Sequence, residues 1–290
     1  METIPGVICK RDFNAEKIVL DRIARKVSLY ADEMLFAFRA PRSIGDKLRL
    51  MCSTLAFHYR NWRAAPIDPG PRMRIDLDIE GYGSTITLRP RDGDIAVFHE
   101  IFVRRAYDIP SDLLPPSSVR TIVDAGSNIG ITSQYLAGRY RNARVFSIEP
   151  NPDNFALLQE NVTSEPRIVP IQACVTAKPN QAVFITTGGR GSHFQMNSHG
   201  DGVCVRGISL NQLCEERGID HIDLLKVDIE GAEVELFGDG SFLPKVRIIA
   251  AEIHGDYDLE RFNADLSRWG FRAWVNHNSQ EQGLVLAARA

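Results

Sequence analysis

Eight residues carry the first chemical signal of this 290-residue chain. Asp124, Gly126, Asn128 and Gly130 alternate at period two through Val123-Asp-Ala-Gly-Ser-Asn-Ile-Gly130. Glu149 follows in Ile148-Glu-Pro-Asn-Pro-Asp153, with Asn151 beside it, and Asp228 and Glu230 stand in Leu225-Lys-Val-Asp-Ile-Glu-Gly231. An acid followed by a glycine-rich turn lets backbone approach a ligand where a Cβ would block it. When a helix follows such a turn, its first N–H groups also face that ligand. An acid about 20 residues further on stands where ribose hydroxyls are read in nucleotide folds.

A dinucleotide turn wants G-x-G-x-x-G, which makes room for pyrophosphate. Here Asp124 ends the strand and Asn128 stands where a middle glycine would be, tolerable because Asn adopts left-handed backbone angles. A carboxylate repels pyrophosphate but suits the cationic amino group of a methionine moiety. The turn therefore favours S-adenosylmethionine, with Gly126, Ser127, Asn128 and Gly130 around the methionine part. Glu149 would accept from both ribose hydroxyls. The plainer alternative is a structural turn at Gly126–Gly130 and a helix cap at Glu149; the two features at this spacing argue against it.

Elements must carry these residues to one edge. Ile122 and Val123 end a buried strand, and Thr132 onward reads as a helix. Ala143–Ile148 is a strand, Pro152–Asn161 a helix, Ile168–Val175 a strand and Gln181–Thr186 a further strand. Ile222–Val227 is a strand, a helix from Gly231 runs through Phe237, and Val246–Ile253 is a strand. Helix 258–269 and strands 271–276 and 283–288 finish the chain, the last two close enough for a hairpin. Such alternation implies a mostly parallel sheet with crossover helices, whose ligands bind at the carboxyl edge. Cys174 and Val175 fall at that edge, placed for the adenine. Lys226 and Asp228 share one face of their strand, and a buried charged pair needs a partner or a task. His254, one strand beyond Asp228, is placed to be a general base.

The first 115 residues read differently. Ile18–Val27, Met34–Phe38 and Leu48–Phe57 are helical in spacing, and strands at 74–80 and 85–89 flank Gly81-Tyr-Gly-Ser84 as a hairpin. Residues 97–107 read as a helix in which His99 and Glu100 could face a substrate. The result is a helical and hairpin cap over 1–115 ahead of a cofactor domain over 116–290. Gly188–Gly202 is glycine-rich and unperiodic, either a substrate lid or an exposed excursion, with His193 and His199 within it.

Composition excludes some classes. Net charge is −3 with 44% hydrophobic and 24% charged residues, an ordinary globular balance without a basic excess for nucleic acid. No apolar run approaches the ~20 residues that span a bilayer, and the amino terminus lacks signal-peptide organisation, so a cytoplasmic location is expected. Five scattered cysteines suggest neither a disulfide framework nor a zinc site.

Together Val123–Gly130, Ile148–Phe155, Leu225–Glu233 and Ala251-Glu-Ile-His254 resemble the FkbM family of S-adenosylmethionine-dependent methyltransferases, over about residues 95–290. The resemblance implies an α/β class I methyltransferase (Rossmann-like) fold with an antiparallel last strand, and methyl transfer to a hydroxyl of a natural product, sugar or glycolipid. It places Asp124–Gly130 on methionine, Glu149 on ribose, and Asp228 with Glu230 in the methyl-transfer crevice. His254 is the expected base, with Asp228 orienting it or the acceptor. No metal ligand is assigned; Mg²⁺ on Asp228 and Glu230, serving a diol or hydroxamate acceptor, is the less favoured alternative because no third carboxylate is evident. An NAD-linked oxidoreductase and a non-catalytic cofactor-binding protein are the remaining alternatives. The amino-terminal residues are expected to govern acceptor choice or homodimer contacts.

Overall fold

A computed structural model describes residues 10–63, 70–79, 81–186, 195–197, 202–276 and 284–289. Helix α1 (Lys10–Arg39) is one continuous element where the spacing suggests two. The residues between Val27 and Met34 include no glycine or proline, so nothing breaks it. Pro41 follows its end, and Ser43 caps α2 (Ile44–Trp62) by accepting the Asp46 N–H at 3.0 Å. The expected hairpin forms as β1 (Met73–Ile79) and β2 (Tyr82–Leu88), antiparallel, with Met73, Ile75 and Leu77 turned inward. Helix α3 (Asp94–Phe102) starts earlier and ends earlier than 97–107, because Gly93 at φ +98° begins it and Arg105 at φ +51° turns the chain.

The remaining elements are β3 (Thr121–Ala125), α4 (Ile131–Arg139), β4 (Arg144–Ile148), α5 (Pro152–Val162), β5 (Ile168–Ile171), β6 (Cys174–Val175), β7 (Ala182–Thr186), β8 (Gln195–Asn197), β9 (Val203–Ile208), α6 (Leu210–Arg217), β10 (Ile222–Val227), α7 (Glu233–Asp239), β11 (Val246–Glu252), α8 (Leu259–Ser267), β12 (Phe271–Val275) and β13 (Leu284–Arg289). Seven strands form the central sheet in the order β12-β13-β11-β10-β3-β4-β5. β5, β4, β3, β10 and β11 are parallel, and β13 is antiparallel to both β11 and β12. This is the class I methyltransferase architecture.

Covering helices explain why β10 is buried along its whole length. Ile122, Leu224, Ile248 and Leu286 face one apolar cluster that also takes in α4, α5, α3 and the hairpin. Val123, Leu225, Ile249 and Val285 face the other, with Leu213, Phe237 and Phe262 of α6, α7 and α8. Hydrogen bonds fasten the cap to the sheet's helices. Asn161 of α5 accepts the Thr87 N–H at 2.7 Å and donates to the Thr87 carbonyl at 3.1 Å. Arg89 grips Asp94 with two bonds of 3.0 Å and reaches Asn154 of α5 at 2.8 Å.

Two strand expectations need correction. The run 168–175 breaks after Ile171, and Cys174 and Val175 leave the central sheet to pair in parallel with Gly207 and Ile208 of β9. The strand at 182–186 is not in the parallel sheet either; it lies antiparallel between β9 and β8 in a separate four-stranded sheet. Of the 188–202 segment only Gln195–Asn197 and Gly202 are described, so His193 and His199 lie outside the described residues. Among the described residues no helix is long and apolar enough to cross a membrane. Phe38 of α1 and Ile44, Leu48, Leu55, Tyr59 and Trp62 of α2 are exposed.

Candidate active site

The glycine turn is bolted to both neighbouring strand ends. The N–H groups of Gly126 and Ser127 both donate to the Ile148 carbonyl at 3.0 Å, and Ser127 Oγ donates to the Asp124 carbonyl at 2.8 Å. Gly126, at φ +82°, lies so close to β10 that an added Cβ would stand 1.7 Å from the Asp228 carbonyl oxygen. Asn128 takes the left-handed conformation that asparagine tolerates, at φ +50°, and Gly130 at φ +88° opens α4.

Asp124 and Lys226 are cross-strand partners, both buried. Lys226 Nζ is 3.2 Å from Asp124 Oδ1 and 3.6 Å from Asp228 Oδ2, and it donates to the Gly126 carbonyl at 2.6 Å. Ser133 Oγ donates to the other Asp124 oxygen at 2.6 Å. Burial works against the lysine charge, but Asp124 and Asp228 outweigh it and raise the lysine's pKa. Its ammonium also lies 5.5 Å from the ring centre of Tyr107, which burial keeps in the phenol form. Asp124 is thus fully enclosed. It shapes the turn through Lys226, and the surface presented to a ligand belongs to Gly126 and Asn128.

Glu149 is also enclosed. Its Oε2 accepts the Asn128 N–H and its Oε1 the Asn151 N–H, each at 2.9 Å. Burial pushes its pKa up to about 7 despite these bonds. Asn151 caps α5, accepting the Asp153 N–H at 2.9 Å. Cys174 is buried nearby, its thiol pushed up to about 12 by burial and then by the Glu149 charge. Val175 is buried in the second sheet.

A cavity of about 250 Å³ opens between the strand edge and the cap. Gly126, Asn128, Thr132, Lys226, Asp228, Glu230, Glu252 and His254 form its sheet side; Phe57, Arg60, Arg91, Glu100 and Tyr107 are among those forming the other. His254 Nδ1 lies 3.1 Å from Glu233 Oε1, which also accepts the Ile229 N–H at 3.1 Å. That bond turns Nε2 towards Glu252, Asp228 and Glu230, at 3.8, 3.9 and 4.0 Å. The Glu233 hydrogen bond, with the surrounding carboxylates, raises the His254 pKa to about 9. Burial first, then the Asp228 charge, pushes Glu252 up to about 7. A ring that holds its proton at neutral pH is a donor, so this arrangement does not favour His254 as the base.

His99 and Glu100 part company. Glu100 lines the cavity, whereas His99 is buried with Nε2 3.0 Å from Thr54 Oγ1, and burial drops its pKa to about 3. Glu252 is the site residue that the sequence reading passes over. It stands two residues before His254 at a strand end, and that spacing was its signal.

S-adenosylmethionine fits this edge. Asn128 Oδ1 is buried without a hydrogen-bond partner, an acceptor beside Gly126 for a cationic amino group. Glu149 supplies a buried carboxylate one strand away. The methyltransferase FkbM domain matches residues 124–273, just over half of the chain. The chain belongs to the FkbM methyltransferase family. It is therefore an S-adenosylmethionine-dependent methyltransferase, and the matched span holds Asp124, Glu149, Asp228, Glu230, Glu252 and His254. Among its relatives, hexuronic acid methyltransferase AglP of Haloferax volcanii is 27% identical over 223 residues, covering 75% of this chain and 90% of that one. The 31-O-demethyl-FK506 methyltransferase FkbM of Streptomyces tacrolimicus is 23% identical over 193 residues, covering 54% and 74%. The 2-O-methyltransferase NoeI of Sinorhizobium fredii is 25% identical over 157 residues, covering 48% and 64%.

Proposed function

We propose that this FkbM-family enzyme methylates a hydroxyl of a sugar or other polyhydroxylated small molecule held in the cavity between the strand edge and the cap. The observation that carries this reading is the position of the cavity. It joins Gly126 and Asn128, at the cofactor turn, to a polar wall of Asp228, Glu230, Glu252 and His254. Polar side chains of that density suit an acceptor rich in hydroxyls. The relatives' names point the same way: a hexuronic acid, a 2-O position and a 31-O position.

When bound, S-adenosylmethionine supplies a methyl group already activated by its sulfonium. The protein's residues have two tasks, to hold the acceptor in line and to take its proton. Gly126 and Asn128 would hold the methionine end, and Glu149 with Asn151 the ribose end. Cys174 and Val175 would flank the adenine. His254, fixed by Glu233, would position the acceptor oxygen. Asp228 and Glu230 are the groups beside it able to receive a proton. The cap would choose the acceptor, and the exposed apolar side chains of α1 and α2 are where a homodimer contact would form.

The test is incubation of the purified protein with S-adenosylmethionine and a panel of uronic acids, neutral sugars and polyols, read by mass spectrometry. A methyl ether on one acceptor supports the reading. Methylation only on nitrogen or carbon acceptors would overturn it.

A further inference from the structure

We infer that Asp228, Glu252 and His254 form a divalent-cation site at the cavity end of β10 and β11. One ligand atom from each, an oxygen of either carboxylate and an imidazole nitrogen, lies within 4.8 Å of the others. The carboxylate contacts of His254 Nε2, 3.8 Å to Glu252 and 3.9 Å to Asp228, are close to the separation of about 3 to 4 Å that donors have when each sits roughly 2.1 Å from one ion.

Three further observations separate this group from an ordinary acidic surface. The first is the orientation of the ring. A metal-binding histidine commonly gives its other nitrogen to a carboxylate, which fixes the tautomer and aims the ligating lone pair that the cation frees by displacing the Nε2 proton. Here Glu233 does this from full burial, at 3.1 Å from Nδ1, and leaves Nε2 facing the carboxylates. The second is Glu233 itself: fully buried, it gives Oε1 to the ring and keeps a buried Oε2 without a hydrogen-bond partner. Positive charge on the ring lowers the cost of that buried oxygen, and a cation on Nε2 would keep that charge in place after displacing the imidazole proton. The third is rigidity. Val227 and Ala251 are register partners in the parallel pair β10–β11, so Glu252 ends one strand and Asp228 directly follows the other.

Charge favours the same conclusion. Asp228, Glu230, Glu233 and Glu252 stand around one imidazole. Lys226 makes its shortest contacts to the Gly126 carbonyl and Asp124. A hard cation with oxygen and imidazole donors, such as Mg²⁺ or Mn²⁺, suits this set. Its remaining positions would face the cavity, where an acceptor with two neighbouring oxygens, a vicinal diol or an α-hydroxy acid, could occupy them. Glu252 supplies the further carboxylate whose absence from the sequence reading disfavoured a metal. That acceptor class rests on the methyl-transfer reading; the cation site does not.

The experiment is a titration of the full chain, stripped with EDTA, with Mn²⁺ alone, followed by the loss of the free-ion electron paramagnetic resonance signal. Saturable uptake of one Mn²⁺ per chain is expected, weakened at least tenfold in Glu252→Gln and in His254→Gln. S-adenosylhomocysteine binding, measured by calorimetry on the same samples, shows which variants retain their fold. If either folded variant binds Mn²⁺ as the parent does, or the parent binds none, the cation site is refuted. Loss of S-adenosylhomocysteine binding in the parent would instead refute the methyltransferase reading and leave the Mn²⁺ result standing.

Discussion

Lys226 Nζ lies 3.2 Å from Asp124 Oδ1, and the two residues face each other across the parallel pair β10–β3. Both are enclosed, so neither charge has water to fall back on. Removing one partner of such a pair costs about 3–5 kcal/mol, because the other is left buried and uncompensated. Lys226→Met should lower unfolding stability by that order in urea titration, and Asp124→Asn in the same chain should recover part of it. A stability loss below about 1 kcal/mol for the single variant would show that the pair does not hold the strand ends together.

Gly126 and Gly130 should respond differently to alanine. At Gly126 the new Cβ meets the Asp228 carbonyl at 1.7 Å, and backbone cannot step aside. At Gly130 it meets Leu158 Cδ1 at 2.7 Å, the far end of a flexible side chain, although φ +88° strains the residue as well. Gly126→Ala should therefore weaken S-adenosylhomocysteine binding by more than tenfold and by more than Gly130→Ala does. Calorimetry on both variants checks the order; equal effects would contradict the close approach.

Glu149 gives cofactor binding a pH dependence of known sign. In the free protein its pKa is about 7, set by burial. In the ribose role proposed for Glu149, the hydroxyls would donate to the carboxylate form and favour it, so binding would expel a proton wherever the group is protonated. Affinity should rise with pH up to about 7 and level off above it. The dissociation constant for S-adenosylhomocysteine should be about tenfold lower at pH 8 than at pH 6, with proton release seen as a buffer-dependent binding heat. Tighter binding at pH 6 would contradict it. Stability has the opposite sign: a carboxyl raised from 4.5 to about 7 on folding costs stability as pH climbs through that window.

His99 acts on the cap. Burial, then His58 and Arg104, lower its pKa to about 3, so the folded protein holds it neutral while the unfolded chain titrates near 6.5. Its contribution is present above pH 6.5 and is lost as pH falls towards 3, because the unfolded state takes up the proton first. The parent should lose more stability than His99→Gln between pH 7 and pH 5 in matched denaturant titrations. Parallel pH profiles would show that His99 is not held neutral.

His254→Ala separates positioning from binding. The ring touches the cavity but not the glycine turn's hydrogen bonds, so turnover should fall by about 10²- to 10⁴-fold while S-adenosylhomocysteine affinity stays within about threefold. Preserved turnover would remove His254 from the reaction.

Much of this site was legible because local rules and tertiary structure agree there. The Asp124–Gly130 turn announces itself through residues suited to a left-handed backbone and a close approach, and β10 through Ile222, Leu224, Leu225 and Val227 around Lys226. Lys226 was seen to need a partner, but that partner proved to be Asp124 as well as Asp228, and strand register is a tertiary fact. Cys174 and Val175 read as the continuation of a strand because they are apolar and follow one. Their departure to β9 depends on Gly207 and Ile208, more than thirty residues away. Glu252 was within reach of a period-two argument from His254. The separation of His99 from Glu100 was not, since both lie on one short helix and only packing decides which turns inward.

The insertion of β13 between β11 and β12 has a consequence for how the protein is made. Synthesis delivers β11, with Glu252 at its tip, before the strand that flanks it exists. Until Leu284–Arg289 emerges, β11 has an open edge, and Glu252 stands at the tip of the outermost strand of an unfinished sheet. The active-site wall is completed by a strand that follows every candidate catalytic residue in the sequence, so a truncation after Asn276 would spare them all and still leave the wall without its support.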